Sequence, residues 1–188
     1  MTHILQYFAE GNDIKFLEDY ITFLNLGIPQ KFGIPTEGWT KLPKVANRFH
    51  EASNKGGVNI VIFDADNDTE ARRKELLEKR EQLGIEFELF LFPDDTITGC
   101  VENLLLNIIN PKYQNILNCF DNYCNCISNG NIPIAMPPIK SKFYSFIEAS
   151  GQGTNMKDVD FTNNDYGNLS HPSLNGLKAF IENSINKI

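Results

Sequence analysis

The chain has 188 residues, a formal net charge of −7, and 41% hydrophobic and 22% charged residues. That length buries one sizeable core, and the composition is that of an ordinary globular domain rather than a disordered or fibrous chain. The acidic balance argues against a surface coated with phosphate-binding basic residues. No run is apolar enough to span a bilayer, and no basic segment with an apolar core opens the chain, so it reads as cytoplasmic.

The first predicted element is a short apolar strand, Ile4-Leu5-Gln6-Tyr7-Phe8-Ala9, ending in Glu10-Gly11. Asn12-Asp13 follows as turn and cap, and Ile14, Phe16, Leu17, Tyr20, Ile21 and Leu24 recur at helical spacing. A second strand is expected over 30–34, with Pro35-Thr36-Glu37-Gly38 as its turn. A helix is expected over 42–52, with Val45, Phe49 and Ala52 on one side. The β-branched run Val58-Asn59-Ile60-Val61-Ile62-Phe63 is the clearest strand, and it stops in Asp64-Ala65-Asp66-Asn67-Asp68. A charged helix over 69–83 should turn Ala71, Leu76, Leu77 and Leu83 inward and end at Gly84. A strand over 87–92, stopped by Pro93-Asp94-Asp95, leads to an apolar helix over 101–109.

Beyond it are expected a helix over 113–127, a proline-bearing loop over 130–140, and a helix over 142–149. A long polar excursion over 151–169 then leads to an amphipathic helix over 174–188, with Leu177, Phe180, Ile181 and Ile185 inward. Strand–helix alternation with short turns predicts an α/β fold with a mainly parallel central sheet flanked by helices, carrying a C-terminal helical and loop extension. One domain over 1–188 is expected, its core over about 1–110 and its extension over about 111–188.

In such a sheet, ligands bind beyond the carboxyl ends of the strands. Glu10, Asp64 and Asp66 would converge there if their strands are parallel neighbours. Clustered carboxylates repel one another, and a hard cation such as Mg²⁺ relieves that repulsion; a polar turn accounts for the same residues. Asp68 reads as a ligand or as the cap of the next helix. Asp94 and Asp95 read as pocket acids or as a turn, and Glu102 as a site acid or a helix-dipole partner. Arg72, Arg73, Lys15 and Lys55 read as phosphate contacts or as helix surface. The acids Asp158, Asp160 and Asp165 of the long excursion read as solvated loop residues, with approach to a metal as the alternative. The four cysteines, Cys100, Cys119, Cys124 and Cys126, lack a usual zinc spacing and read as structural thiols. No phosphate-binding G-x-x-x-x-G-K-[ST] loop is present.

The pair Phe8-Ala9-Glu10-Gly11-Asn12-Asp13 and Ile62-Phe63-Asp64-Ala65-Asp66 resembles the TOPRIM pattern of apolar-Glu-Gly-x-x-Asp followed by apolar-Asp-x-Asp. The resemblance extends to small stand-alone bacterial TOPRIM-related proteins through Leu91-Phe92-Pro93-Asp94-Asp95, Gly99-Cys100-Val101-Glu102 and Lys140-Ser141-Lys142-Phe143-Tyr144-Ser145-Phe146-Ile147. It implies a Rossmann-like core, Mg²⁺ or Mn²⁺ held by Asp64 and Asp66, and Glu10 as the catalytic group. Asp68, Asp94, Asp95 and Glu102 are secondary candidates. The activity it implies is metal-dependent phosphoryl transfer, foremost a nuclease acting on nucleic-acid phosphodiesters. The alternatives are an interaction module working with a partner ATPase, and a small-molecule phosphohydrolase, which also uses Asp-x-Asp but needs a downstream lysine.

Overall fold

The computed structural model of the chain describes residues 4–130 and 133–187. His3, two residues of the expected 130–140 loop and Ile188 of the expected last helix lie outside them. The architecture is α/β: four parallel strands in the order β2-β1-β3-β4, flanked on both faces by helices. The strands are β1 (Ile4–Glu10), β2 (Gln30–Thr36), β3 (Val58–Asp64) and β4 (Glu88–Phe92). The helices are α1 (Ile14–Leu24), α2 (Ala46–Ser53), α3 (Thr69–Leu83), α4 (Val101–Ile108), α5 (Gln114–Ser128), α6 (Ile139–Ala149) and α7 (Asn175–Ile185). No helix among the described residues is long and apolar enough to cross a membrane.

Side-chain alternation divides the sheet into two cores. Leu5, Tyr7 and Ala9 of β1, Ile60 and Ile62 of β3, and Phe90 and Phe92 of β4 meet α1, α4, α6 and α7. Phe8, Val61, Phe63 and Leu91 face the other way, against Phe49 of α2 and Leu76 of α3. There the rings of Phe8 and Phe49 stack with centroids 3.7 Å apart. The segment after residue 111 joins the first core through Leu117, Phe143, Phe146, Met156, Phe161 and Leu177. Gly33 is required at its place in β2, because a Cβ there would lie 2.8 Å from the Tyr7 ring.

The chain runs from β1 outward to β2, then returns to the far side of β1 as β3. This reversal makes the crevice above the ends of β1 and β3 a topological switch point, where open α/β sheets bind ligands. Glu10 ends one of these strands and Asp64 the other.

Several boundaries differ from expectation. β2 runs through Pro35 to Thr36, which an edge strand tolerates because its outer N–H groups need no partner. Residues Trp39–Val45 form a 3-10 turn, so α2 begins only at Ala46. In α3, Leu76 alone among the four expected residues is fully buried; Ala71 is exposed, and Leu77 and Leu83 are half-buried. One such side chain contributes about 1.5–3 kcal/mol, so local contacts carry much of this helix. Asp68 caps its start, accepting from the Ala71 N–H at 3.0 Å, and Gly84 (φ 60°) ends it as expected. Helix α6 starts at Ile139, three residues earlier than expected, which brings Lys140 into its first turn.

Candidate functional site

Asp64 shares the parity of Ile60 and Ile62, so it turns toward α4 and α6. It is 4% exposed. Its Oδ1 accepts from the Val101 N–H at the start of α4 at 2.9 Å, and its Oδ2 accepts from Lys140 Nζ at 3.2 Å. Burial pushes its carboxyl up to about 6, although Lys140 and the Val101 N–H pull the other way.

Glu102 stands one residue beyond Val101 in α4 and is 2% exposed. Its Oε2 has no hydrogen-bond partner and lies 3.8 Å from Lys140 Nζ. Asp13 is also buried, at 5% exposure, with its Oδ2 unpartnered. It precedes α1 in helical conformation and makes no side-chain capping bond, contrary to the expected cap. Burial holds its carboxyl well above the ordinary range, and the charges of Asp64, Glu10 and Glu102 raise it further against the opposing pull of Lys140. Two groups from neighbouring turns complete the surroundings. The Cys100 thiol is pushed up to about 12 by burial and by Glu102 and Asp64. The Tyr144 hydroxyl is raised by burial, Glu102 and Asp13.

Lys140 is the cation of this cluster. Burial acts to lower its pKa, but Asp64 and Glu102 outweigh it and leave the ammonium strongly held. Ligand atoms of Asp64, Cys100 and Glu102 all lie within 4.8 Å of one another. Glu10 has the parity of Phe8 and so leaves the strand toward the opposite face. A Cβ on Gly38 would lie 3.7 Å from its Oε1, which places the carboxylate under the turn after β2.

The other expected acids stand apart. Asp66, in left-handed conformation (φ 54°), points to Arg72, with Oδ2 at 2.6 Å from Nη2. Arg72 also rests over Trp39 and pairs with Glu75, so it is neither a free phosphate contact nor solvated surface. Asp94 accepts from the Thr96 and Ile97 N–H groups and the Thr96 hydroxyl. Asp95 accepts from the Leu91 N–H and pairs with Arg73. Lys15 pairs with Asp19. The backbone of Asp66 nonetheless joins the site's frame. Its N–H donates to Gly99 O at 2.9 Å, and Gly99 N–H donates back at 2.8 Å. Gly99 must be glycine here, because its φ is 139° and a Cβ would fall 2.7 Å from Asn103 Oδ1.

Thus the expected Glu10 and Asp64 reach one sheet edge and Glu102 joins Asp64, while Asp66 turns outward. Asp13, Cys100, Lys140 and Tyr144 were not singled out as site residues. Each lies in a segment that carries the resemblance, and that was the signal available. Compared with protein-family models, curated proteins and solved structures, the chain matches none.

Proposed function

We propose that this cluster holds a divalent cation and carries out TOPRIM-like phosphoryl transfer, with nucleic-acid phosphodiesters as substrate. The observation that carries the reading is the pair of unpartnered buried oxygens, Asp13 Oδ2 and Glu102 Oε2, beside Asp64. A buried polar oxygen without a hydrogen-bond donor costs the fold about 1–3 kcal/mol. All-oxygen donors fit Mg²⁺ or Mn²⁺, which prefer carboxylates and share their shell with phosphate. Asp64 and Glu102 would hold the ion, with the Asp13 carboxyl adding negative charge beside them and Glu10 at the end of the neighbouring strand. When bound, the ion supplies Lewis acidity and lowers the pKa of its water.

The chain's own residues supply the rest. Lys140, with its side chain 46% exposed, can turn its ammonium from Asp64 to a phosphoryl oxygen entering from solvent. Glu10, at the same sheet edge but on the other face of the strand, would accept a proton from the attacking water by reaching over the strand ends. The Val101 N–H fixes the orientation of Asp64. Purified chain should cut nucleic acid only with Mg²⁺ or Mn²⁺, at low salt, where an acidic protein meets phosphate with least screening of its few cationic contacts. Glu10→Gln should abolish cutting with the fold intact; cutting that survives it would end this assignment.

Lys140 at 3.2 Å from a strand-end aspartate also favours a second reading, a small-molecule phosphohydrolase, because a downstream lysine is what that chemistry asks of an Asp-x-Asp site. Hydrolysis of p-nitrophenyl phosphate without cutting of nucleic acid would select it. Metal binding with neither activity would select the partner-dependent module.

A further inference from the structure

We propose that Asp64, Cys100 and Glu102 form a mixed oxygen–sulfur site that takes a thiophilic divalent cation of the Zn²⁺ class in preference to Mg²⁺. This rests on the reading of the cluster as a cation site and deepens it by naming which cation binds most tightly.

Three observations carry it. The three side chains are buried together, at 4%, 6% and 2% exposure, with their ligand atoms within 4.8 Å of one another. Zinc binds sulfur at about 2.3 Å and carboxylate oxygen at about 2.0–2.2 Å, so a bound set closes to about 3.5 Å at the tetrahedral angle. The bound of 4.8 Å admits that spacing with at most a small closing movement, once the Lys140 ammonium beside Asp64 and Glu102 moves away. Second, Glu102 Oε2 has no hydrogen-bond partner despite its burial, and it belongs to this trio. Third, the thiol's own contact is long and local. Cys100 Sγ donates to Asn103 Oδ1 at 3.3 Å, and the same oxygen accepts from the Cys100 N–H at 2.9 Å, so the start of α4 keeps this shorter capping bond when the sulfur turns to a metal ion.

Lys140 is half-exposed and can swing out, keeping its proton. Coordination replaces the S–H bond by an S–metal bond, and the thiol proton leaves to buffer, one per ion bound. Sulfur discriminates strongly against Mg²⁺, whereas oxygen donors alone do so weakly. Because Asp64 and Glu102 belong to both donor sets, a thiophilic ion would exclude the Mg²⁺ or Mn²⁺ that phosphoryl transfer uses. Zn²⁺ would then act as a tight inhibitor of that activity.

The remaining cysteines, Cys119, Cys124 and Cys126, are exposed or half-exposed on α5 and would bind such ions unspecifically. The experiment therefore uses the full chain carrying Cys119→Ser, Cys124→Ser and Cys126→Ser, in which Cys100 is the one thiol left. Co²⁺ is titrated as the spectroscopic stand-in for Zn²⁺. A near-ultraviolet sulfur-to-cobalt charge-transfer band should grow to saturation at one equivalent and vanish when Zn²⁺ is added. Adding Cys100→Ser should abolish the band and weaken Zn²⁺ binding by at least the about 10- to 100-fold that loss of a mere supporting group at a metal site produces. Mn²⁺ binding, read by electron paramagnetic resonance, should change by less than about 3-fold, because Mn²⁺ prefers the oxygen donors. Cys100→Ala replaces the serine variant if circular dichroism shows the latter unfolded. Co²⁺ binding without a sulfur band would overturn the inference and leave the carboxylate site standing. Absence of both Co²⁺ and Mn²⁺ binding would overturn both.

Discussion

The acids that turn toward α4 and α6 differ in kind from those that turn toward α3 or lie in the loop after β4. Asp13, Asp64 and Glu102 are buried, and two of the three carry an unpartnered oxygen. Asp66, Asp68, Asp94 and Asp95 are each answered by a local donor: Arg72, the Ala71 N–H, the Thr96 and Ile97 N–H groups, and the Leu91 N–H with Arg73. Against the upward pull of burial, the donors around Asp94 leave its carboxyl below the usual range, whereas burial leaves Asp13 and Asp64 above it. The second group stabilises turns and helix starts as charged carboxylates. The first group is held in the fold at a cost in stability.

The widest gap between the groups should appear in cation binding. Glu102→Gln and Asp64→Asn should each weaken Mn²⁺ binding by more than the about 10- to 100-fold typical of supporting contacts, whereas Asp94→Asn should leave it unchanged. Calorimetric titration measures this, and equal heats from all three variants would erase the distinction.

Next in size is the pH dependence of cation-free stability. A carboxyl raised on folding contributes stability below its unfolded value, and that contribution is lost as pH rises through the folded value. For Asp64 the window runs from 3.8 to about 6, a shift equivalent to about 3 kcal/mol at 1.36 kcal/mol per unit. Asp13 acts in the same direction. Denaturant midpoints should therefore fall from pH 4 to pH 7 without divalent ions, and Mn²⁺ should restore them. Asp13→Asn should raise the midpoint at pH 7. A flat profile would mean that the cluster is relaxed in solution.

A smaller effect is expected at Lys140. Lys140→Met removes the cation beside buried Asp64 and should destabilise the ion-free protein by about 1–2 kcal/mol, below the 3–5 of a fully buried pair because the lysine is half-exposed. The same change should tighten Mn²⁺ binding, since the ion no longer competes with an ammonium. Loss of both stability and binding would make Lys140 purely structural.

The smallest effect marks the other group. Asp68→Ala should cost about 1 kcal/mol through the lost cap of α3 and leave cation binding untouched.

The sheet was legible because its strands are near-continuous apolar runs stopped by acids, as for Ile60 to Phe63, and because parallel order follows from strand–helix alternation. Helix α3 was legible in extent but not in facing. Its mixed pattern of charge let Arg72 pack on Trp39 in place of an inward stripe. The edge holding Glu10 and Asp64 could be read from strand ends alone. Which acids are satisfied could not, because that depends on backbone donors supplied by other segments. Asp66 was separated from Asp64 by one left-handed residue conformation, and Asp13 was drawn inward by a turn whose caps looked conventional. Lys140 was hidden by a boundary: with α6 starting at Ile139 its side chain leaves the first helical turn and meets an acid 76 positions earlier.

The reciprocal pair of hydrogen bonds between Asp66 and Gly99 has an entropic consequence. It staples the loop that follows Asp64 to the loop that precedes Glu102, so these carboxylates are held by one closed ring of backbone rather than by two free tails. The conformational freedom that a ligand would otherwise have to remove, about 1–2 kcal/mol for each backbone residue ordered, is already gone before anything binds.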